Sequence, residues 1–547
     1  MLALLRRRGP IALGLCLMLG LGACGGGSGS SGGGVPPVPP VPAPNPMIQD
    51  LNNQPPTVGN LAILLTDGSV IVQGDPGATT VVGGAFGAAL FYRLTPDANG
   101  DYENGTWTQI SSPPAGYAPY AGASAVFADG RVVFVGGEYN QNNYALPFAT
   151  SGLTNMSAVY DPAADRWTMI APPPGQAYIG DVASVIMPGG QFVYGTKLDK
   201  QMWSLDPASL TWSQLAAAGK ADNFAEEGFT LLPSGNLLTI DLANSPHAEH
   251  YAPNLGQWVS DGVTPASLIS PTDSPGGLTY GPAPMQTVGG VTYGPGPTGT
   301  YFPPGEIGPA ILRPNGAVFA TGSAPSGQTG HTAIYTPGVN ISDPGAWAAG
   351  PDFPGGDNAG DSSAALLTDG NVLVAGVSSA LYEFDGVNLT QTVAAQASPR
   401  GAPAVFLLPL PSGQVLVLVG GFSVRLYTPT GASNAAWAPT ISAFPPAVTR
   451  GSTYPISGTQ FNGLSQGASY GDELNSSTNF PLVRIANTAT GHVVYARTHD
   501  HSTMAVATGS ATVRTQFDVP MAAEAGASSL VVIANGIASA SVALTVN

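Results

Sequence analysis

Apolar positions along this chain fall in short runs separated by tight polar breaks, and residues 124–170 show the pattern most plainly. Two runs, 125–127 and Val132–Val135, flank Asp129-Gly130. Asp-Gly between β-rich runs predicts a hairpin, with both central turn positions expected at φ > 0. Gly136-Gly137 then stops the second run. A third run ends at Tyr160-Asp161-Pro162 and a fourth contains Trp167. The pattern predicts four antiparallel strands with an aromatic near the end. Such a unit cannot bury both of its faces alone.

The unit recurs, and the recurrence decides the fold. Hairpin-turn signatures surround Gly68, Gly130, Gly190, Gly235, Gly316, Gly370 and Gly413. Each is followed by a second marker, a Tyr- or Leu-rich run such as VYDPAADRW, and six of the seven markers carry a tryptophan: Trp107, Trp167, Trp212, Trp258, Trp347 and Trp437. Successive turn glycines lie 43 to 81 residues apart, which brackets the period of about 50 residues for kelch blades. Seven blades are predicted, with the extra length in loops. The Gly-Gly after the second strand and the Tyr/Trp markers resemble the kelch family.

Residues 1–24 read as an export signal: Arg6-Arg7-Arg8, an apolar core from Ile11 to Leu21, then Leu21-Gly22-Ala23-Cys24. The last four residues resemble a bacterial lipobox, which implies lipidation at Cys24. Gly25 follows where Asp would retain a lipoprotein at the inner membrane, so an outer-membrane address is expected. Residues 25–46, a Gly/Ser run and then a Pro run, are expected to form a flexible and then stiffer tether. A propeller is expected over 47–442 and a separate domain over 443–547. The Gly/Pro/Thr-rich stretch between Ser260 and Tyr301 is long for a loop, and such loops are functional or disordered.

Composition fits an exported all-β body. Gly 73 and Pro 52 accompany 43% hydrophobic residues, so they mark turns and not disorder. The two cysteines, Cys16 and Cys24, fall in the signal and at its lipidation site, so no disulfide is expected in the folded body. A net charge of −17 disfavours nucleic acid and anionic lipid as partners.

Beyond Ile441 the blade markers stop while short strand patterns continue in PLVRI, HVVYART, TVRTQFDV, SSLVVIAN and ASVALTV. Several short strands in that span predict an immunoglobulin-like β-sandwich. The order of kelch-like blades and then a sandwich, with EIGPAILRPNG, FNGLSQGASYGDE and NFPLVRI, resembles the galactose oxidase and glyoxal oxidase family. That resemblance implies copper held by two tyrosines and two histidines, with a radical tyrosine bonded to a cysteine sulfur. The chain departs from it: the folded body has no cysteine, and the only adjacent His/Tyr pair, His250-Tyr251, is in reverse order. Thr498-His499 resembles a ligand-bearing segment of the family's terminal domain.

Two sets of candidate residues emerge. His499 and His501 stand at i and i+2, which on a strand share a face, and two imidazoles near Asp500 suit Cu or Zn. His247, His250, His331 and His492 are scattered and read as ordinary polar positions. The second set comes from counting about eight to ten residues back from the turn glycines, to the start of each channel-lining strand. This gives Asn60, Gly122, Asp181, Glu227, Glu306 and Asp361, with Arg400 further back in the seventh copy. Their convergence at one mouth of the channel would raise the carboxyl pKa values or recruit Ca²⁺. The alternative is that they cap strand ends.

No P-loop, Rossmann fingerprint, G-x-S-x-G or His-Glu-x-x-His motif occurs in the chain. The sequence therefore leads to an all-β, lipid-anchored envelope protein: a seven-bladed kelch-like β-propeller followed by an immunoglobulin-like sandwich. Its expected role is non-catalytic binding of a carbohydrate or protein ligand at the channel mouth, with no required cofactor and Ca or Cu as the metals to test. A copper-dependent oxidase is the alternative.

Overall fold

The computed structural model describes residues 46–59, 61–75, 87–140, 153–271, 275–325, 327–394 and 405–547. The lipobox Cys24 and most of the tether lie outside them. Among the described residues no helix is long and apolar enough to cross a membrane.

Seven antiparallel sheets form the blades of a propeller. Their first, channel-lining strands are Ala62–Leu64, Ala123–Val126, Ser184–Ile186, Thr230–Leu231, Ala310–Leu312, Ser363–Leu366 and Val405–Pro409. All are buried or nearly so, because each strand has a neighbouring blade on both faces.

The turn after each first strand repeats one geometry. Gly68 donates its N–H to Leu65 while Leu65 donates to Ser69, and the same pair of bonds recurs at Gly130, Gly190, Gly235, Gly316, Gly370 and Gly413. In each only the glycine has positive φ, between 83° and 92° at all but Gly68, where it is 75°. These are three-residue loops ending in a left-handed glycine, not the two-residue turn with two positive φ values expected for Asp-Gly. In the first five blades a Tyr or Leu of the third strand faces the marker Trp across the outer ladder, as Tyr160 and Trp167, Tyr251 and Trp258, and Tyr335 and Trp347 do. Three of the outer tryptophans, Trp107, Trp167 and Trp212, also donate their indole N–H to the linker ahead of their own blade, at Asn53, Ser111 and Ala171.

The seventh blade departs from the sequence reading. Its outermost strand is not the segment around Trp437, which sits in a short 3-10 turn, but Met47–Asp50 from the start of the body, paired antiparallel with Ser423–Thr428. A strand from one end of the propeller thus completes the blade at the other end and closes the ring.

The remaining strands, from Thr440–Ala443 to Val542–Val546, join in a nine-stranded arrangement around a core that includes Ile456, Phe461, Val483, Phe517, Leu530 and Val532. It packs on the hairpin-turn face of the propeller. Thr498 N donates to Thr66 O at 3.0 Å, His501 N to Ala128 O at 3.1 Å and Met504 N to Pro188 O at 3.0 Å.

From that arrangement residues 461–480 enter the propeller channel as a plug. The short strand Ala468–Tyr470 joins the sixth blade as a fifth strand beside Ser363–Leu366. Around the ring, Ser476 Oγ donates to Ala62 O, Ser124 Oγ to Asn475 O, Asn475 Nδ2 to Ser184 O and Leu231 N to Gln466 Oε1, at 2.5–2.9 Å. Phe406 of the seventh blade stacks on Tyr470.

The 260–301 insertion is an ordered arm over its described part. Nested ladders pair Ser270–Pro271 with Gly305–Glu306, Leu278–Tyr280 with Gly299–Tyr301, and Gln286–Val288 with Val291–Tyr293. Its tip reaches blade two. Val288 and Tyr293 are buried there, and Tyr293 OH donates to Ile170 O at 2.6 Å.

Candidate functional site

Because the C-terminal strands cover the turn face, the starts of the channel-lining strands lie at the other mouth. Nine residues before the turn glycines of blades two, four and six stand Ala121, Glu226 and Asp361, with φ of 49°, 57° and 49°. A left-handed non-glycine residue costs on the order of 1 kcal/mol or more, and such strain collects at functional sites. Two of these three strained residues are carboxylates.

They do not stand alone. Asp181 accepts from Lys197, and Lys197 Nζ also lies 2.6 Å from Glu226 Oε1. Tyr301, on the returning strand of the arm, donates its hydroxyl to the same Glu226 oxygen, and its ring centroid is 5.0 Å from the Lys197 ammonium. The tip of the plug adds Asp472 and Glu473, both buried. Oxygens of Asp181, Glu226 and Asp472 all lie within 4.8 Å of one another, and so do those of Glu306, Asp361 and Asp472. Asp472 belongs to both groups, so a residue from the far end of the chain joins carboxylates from blades three, four and six and from the base of the arm.

The electrostatics follow from burial and crowding. Burial, reinforced by Asp361 and Glu226, raises Glu306 well above the carboxylate range, and a hydrogen bond links Glu306 to Asp361. Asp361 itself is pushed up to about 6, by burial and then by Glu226. Glu138 rises to about 7, again through burial first, with Lys197 pulling the other way. Asp181 and Glu473 are raised for the same leading reason. Among the described residues seven carboxyl groups crowd one ammonium, and Glu306 and Asp361 meet through a hydrogen bond.

Of the residues anticipated from sequence, Asp181, Glu306 and Asp361 come together at this mouth. Glu227 does not. It is fully buried in blade four, where Lys220 Nζ lies 3.0 Å from Glu227, 2.6 Å from Asp222, 3.5 Å from Asp241 and 2.8 Å from Glu249. The residue at the mouth is its neighbour Glu226. Glu226 sits in a left-handed turn that sends the two neighbouring side chains to different places, so a one-residue slip in the count selects the wrong carboxylate. Gly122 contributes no side chain. Asn60 and Arg400 lie outside the described residues.

The two histidines also fail to converge. His499 ends its strand, and Asp500 turns the chain with φ of 55°, which breaks the i, i+2 alternation. His499 engages Asp500 through Nδ1 at 2.9 Å and Asp518 through Nε2 at 3.1 Å. His501 is buried separately, with Nδ1 2.8 Å from Thr515 Oγ1 and its ring stacked on Phe480.

Sequence reasoning missed Lys197, Glu226, Asp472, Glu473 and Tyr301. The signal for the plug was present in FNGLSQGASYGDE, a Gly-punctuated segment ending in two acids, but nothing in one sequence says that it enters the channel.

No protein-family model matches the chain. A stretch of 92 residues is 34% identical to Kelch-like protein terF of Aspergillus terreus, covering 16% of this chain and 18% of that protein. The match thus spans less than a fifth of that relative's length. It agrees with the seven-bladed propeller that the strand order shows directly. Among solved structures, similarity is found to one described as the extracellular domain of a hybrid two component system from B. thetaiotaomicron, with 11% identity, 75% of this chain and 44% of that chain covered, and a TM-score of 0.41. YCF48 from Cyanidioschyzon merolae gives 12% identity, coverage of 70% and 98%, and a TM-score of 0.38. Likeness at that level adds nothing to the fold.

Proposed function

We propose that this chain is a non-catalytic binding protein of the bacterial envelope, held at the outer membrane through Cys24, and that its propeller binds a carbohydrate at the acidic mouth. In this reading the C-terminal strands are an immunoglobulin-like sandwich that serves as the propeller's support and plug. The observation that carries the reading is the division of faces: the C-terminal strands occupy the turn face and the channel. The loops of the other face, with Asp181, Glu226, Glu306, Asp361 and Asp472, are left to meet a ligand. Clustered carboxylates beside a tyrosine suit a polyhydroxyl ligand, whose hydroxyls donate to the carboxylate oxygens.

A protein ligand is the second reading. It is favoured by Leu278, Met285 and Phe302, large apolar side chains of the arm or its base that are 44%, 67% and 65% exposed. The copper oxidase has no such support, because its one retained candidate ligand, His499, already has both ring nitrogens engaged by carboxylates.

The test is a glycan array probed with the detergent-solubilised full chain and with Glu226→Gln. A glycan bound by the wild type and lost by the variant supports the carbohydrate reading. Binding of none, or equal binding by both, overturns it. Hydrogen peroxide produced from alcohols or aldehydes after copper loading would overturn the non-catalytic reading.

A further inference from the structure

The fold builds two buried carboxylate cages, and they differ in one respect. In blade four, Lys220 supplies an ammonium to Asp222, Glu227, Asp241 and Glu249, all within 3.5 Å. That cage carries its own cation. At the mouth, Lys197 bridges only Asp181 and Glu226. Asp472, Glu306 and Asp361 stand beside it with no Lys or Arg ion pair to any of them among the described residues.

A second, independent feature lies in the same place. Asp181 is 5% exposed, and while its Oδ2 takes Lys197, its buried Oδ1 has no hydrogen-bond partner. An orphaned carboxylate oxygen in a protein interior carries its full desolvation penalty unless something meets it. Asp181 is also one of the three residues whose oxygens gather within 4.8 Å around the plug tip. Among the described residues, the cluster and the orphaned oxygen thus meet no positive charge beyond Lys197.

We propose that the mouth binds one divalent cation, Ca²⁺ by its chemistry, through Asp181, Glu226 and Asp472, with Glu306 and Asp361 as further acidic neighbours of Asp472. Every donor is a hard carboxylate oxygen, with no imidazole or thiolate among them, which selects alkaline-earth over transition metals. Three carboxylates from three separate elements, with Glu306 and Asp361 beside Asp472, form an adaptable set of the kind Ca²⁺ takes, whereas Mg²⁺ demands a tighter octahedron. Asp472 belongs to the plug, so binding would fasten the plug to blades three and four. The site stands whether or not a glycan occupies the same mouth.

The test uses the full chain, stripped of metal, and Ca²⁺ alone as probe. Calorimetry of the wild type is expected to give one Ca²⁺ per chain, with Mg²⁺ binding weaker. Asp472→Asn and, separately, Asp181→Asn, each checked for an unchanged circular dichroism spectrum, are expected to weaken Ca²⁺ binding by about tenfold or more, since ligand charge count tunes such sites. Absence of Ca²⁺ binding to the wild type at about 10 mM, beyond the weakest extracellular modules, would overturn the proposal. So would wild-type affinity in both folded variants.

Discussion

Met47 and Thr428 stand opposite each other across an antiparallel ladder, so the first described strand of the chain is the outermost strand of the last blade. Arg425 reinforces the ladder with a contact of 2.8 Å to Asp50, and Ile48 packs half-buried against the core between blades six and seven. The ring is closed by chain segments about 380 residues apart, so its closure is an interaction that forms late in sequence terms and can be weakened alone.

Ile48→Asp places a charge in that half-buried position. It is expected to destabilise the full chain by about 1–3 kcal/mol, read as a lower denaturant midpoint. The exposed Asp50→Asn is expected to change it little, because the ion pair it loses is largely in solvent.

Lys220 is held with its charge. Burial alone would lower its pKa, but Glu227, Asp241, Asp222 and Glu249 overcome this and raise it. Lys220→Met leaves four buried carboxylates without their cation. A loss of about 3–5 kcal/mol is expected, as for other broken buried pairs. Because the orphaned carboxylates are relieved by protonation, the variant is also expected to lose less stability than the wild type on acidification, a comparison that urea titrations at several pH values would make.

His501 sets an acid limit. Burial first, then the nearby charges of His499 and Arg497, push its pKa down from 6.5 to about 3. Between these values the unfolded chain binds a proton that the folded chain refuses. Stability from this group is therefore complete above pH 6.5 and falls as pH drops toward 3, by up to about 1.4 kcal/mol per pH unit. His501→Asn is expected to flatten that part of the stability-against-pH curve. An unchanged slope would show that His501 titrates normally.

The propeller was legible because its repeat is written in local chemistry. A left-handed glycine after each channel-lining strand, and a Tyr or Leu facing a Trp across the outer ladder, are read from a few neighbouring residues. What escaped the sequence depends on distant parts of the chain. Trp437 carries the marker residue, yet Met47–Asp50 takes the outer edge of blade seven, since pairing is decided by which strand reaches the edge. Glu226 and Glu227 are adjacent acids, and only the strained turn at Glu226 tells which one faces the mouth. Asp472 lies more than a hundred residues after Asp361, and its place beside that residue follows from the path of the plug.

The central claim is that this mouth is composite, built from blade carboxylates and from a plug that rises through the channel. Ala365 and Ala468 are opposed where the plug joins blade six, next to the Leu366–Gly467 hydrogen bond. At such a non-hydrogen-bonded pair the Cα atoms approach to about 4.5 Å, within disulfide range. The one measurement is a thiol titration of full-chain Ala365→Cys/Ala468→Cys under mild oxidation, in a background where Cys16 and Cys24 are replaced. The account expects both thiols to disappear together without loss of fold. Two free thiols in the folded, oxidised protein would contradict it.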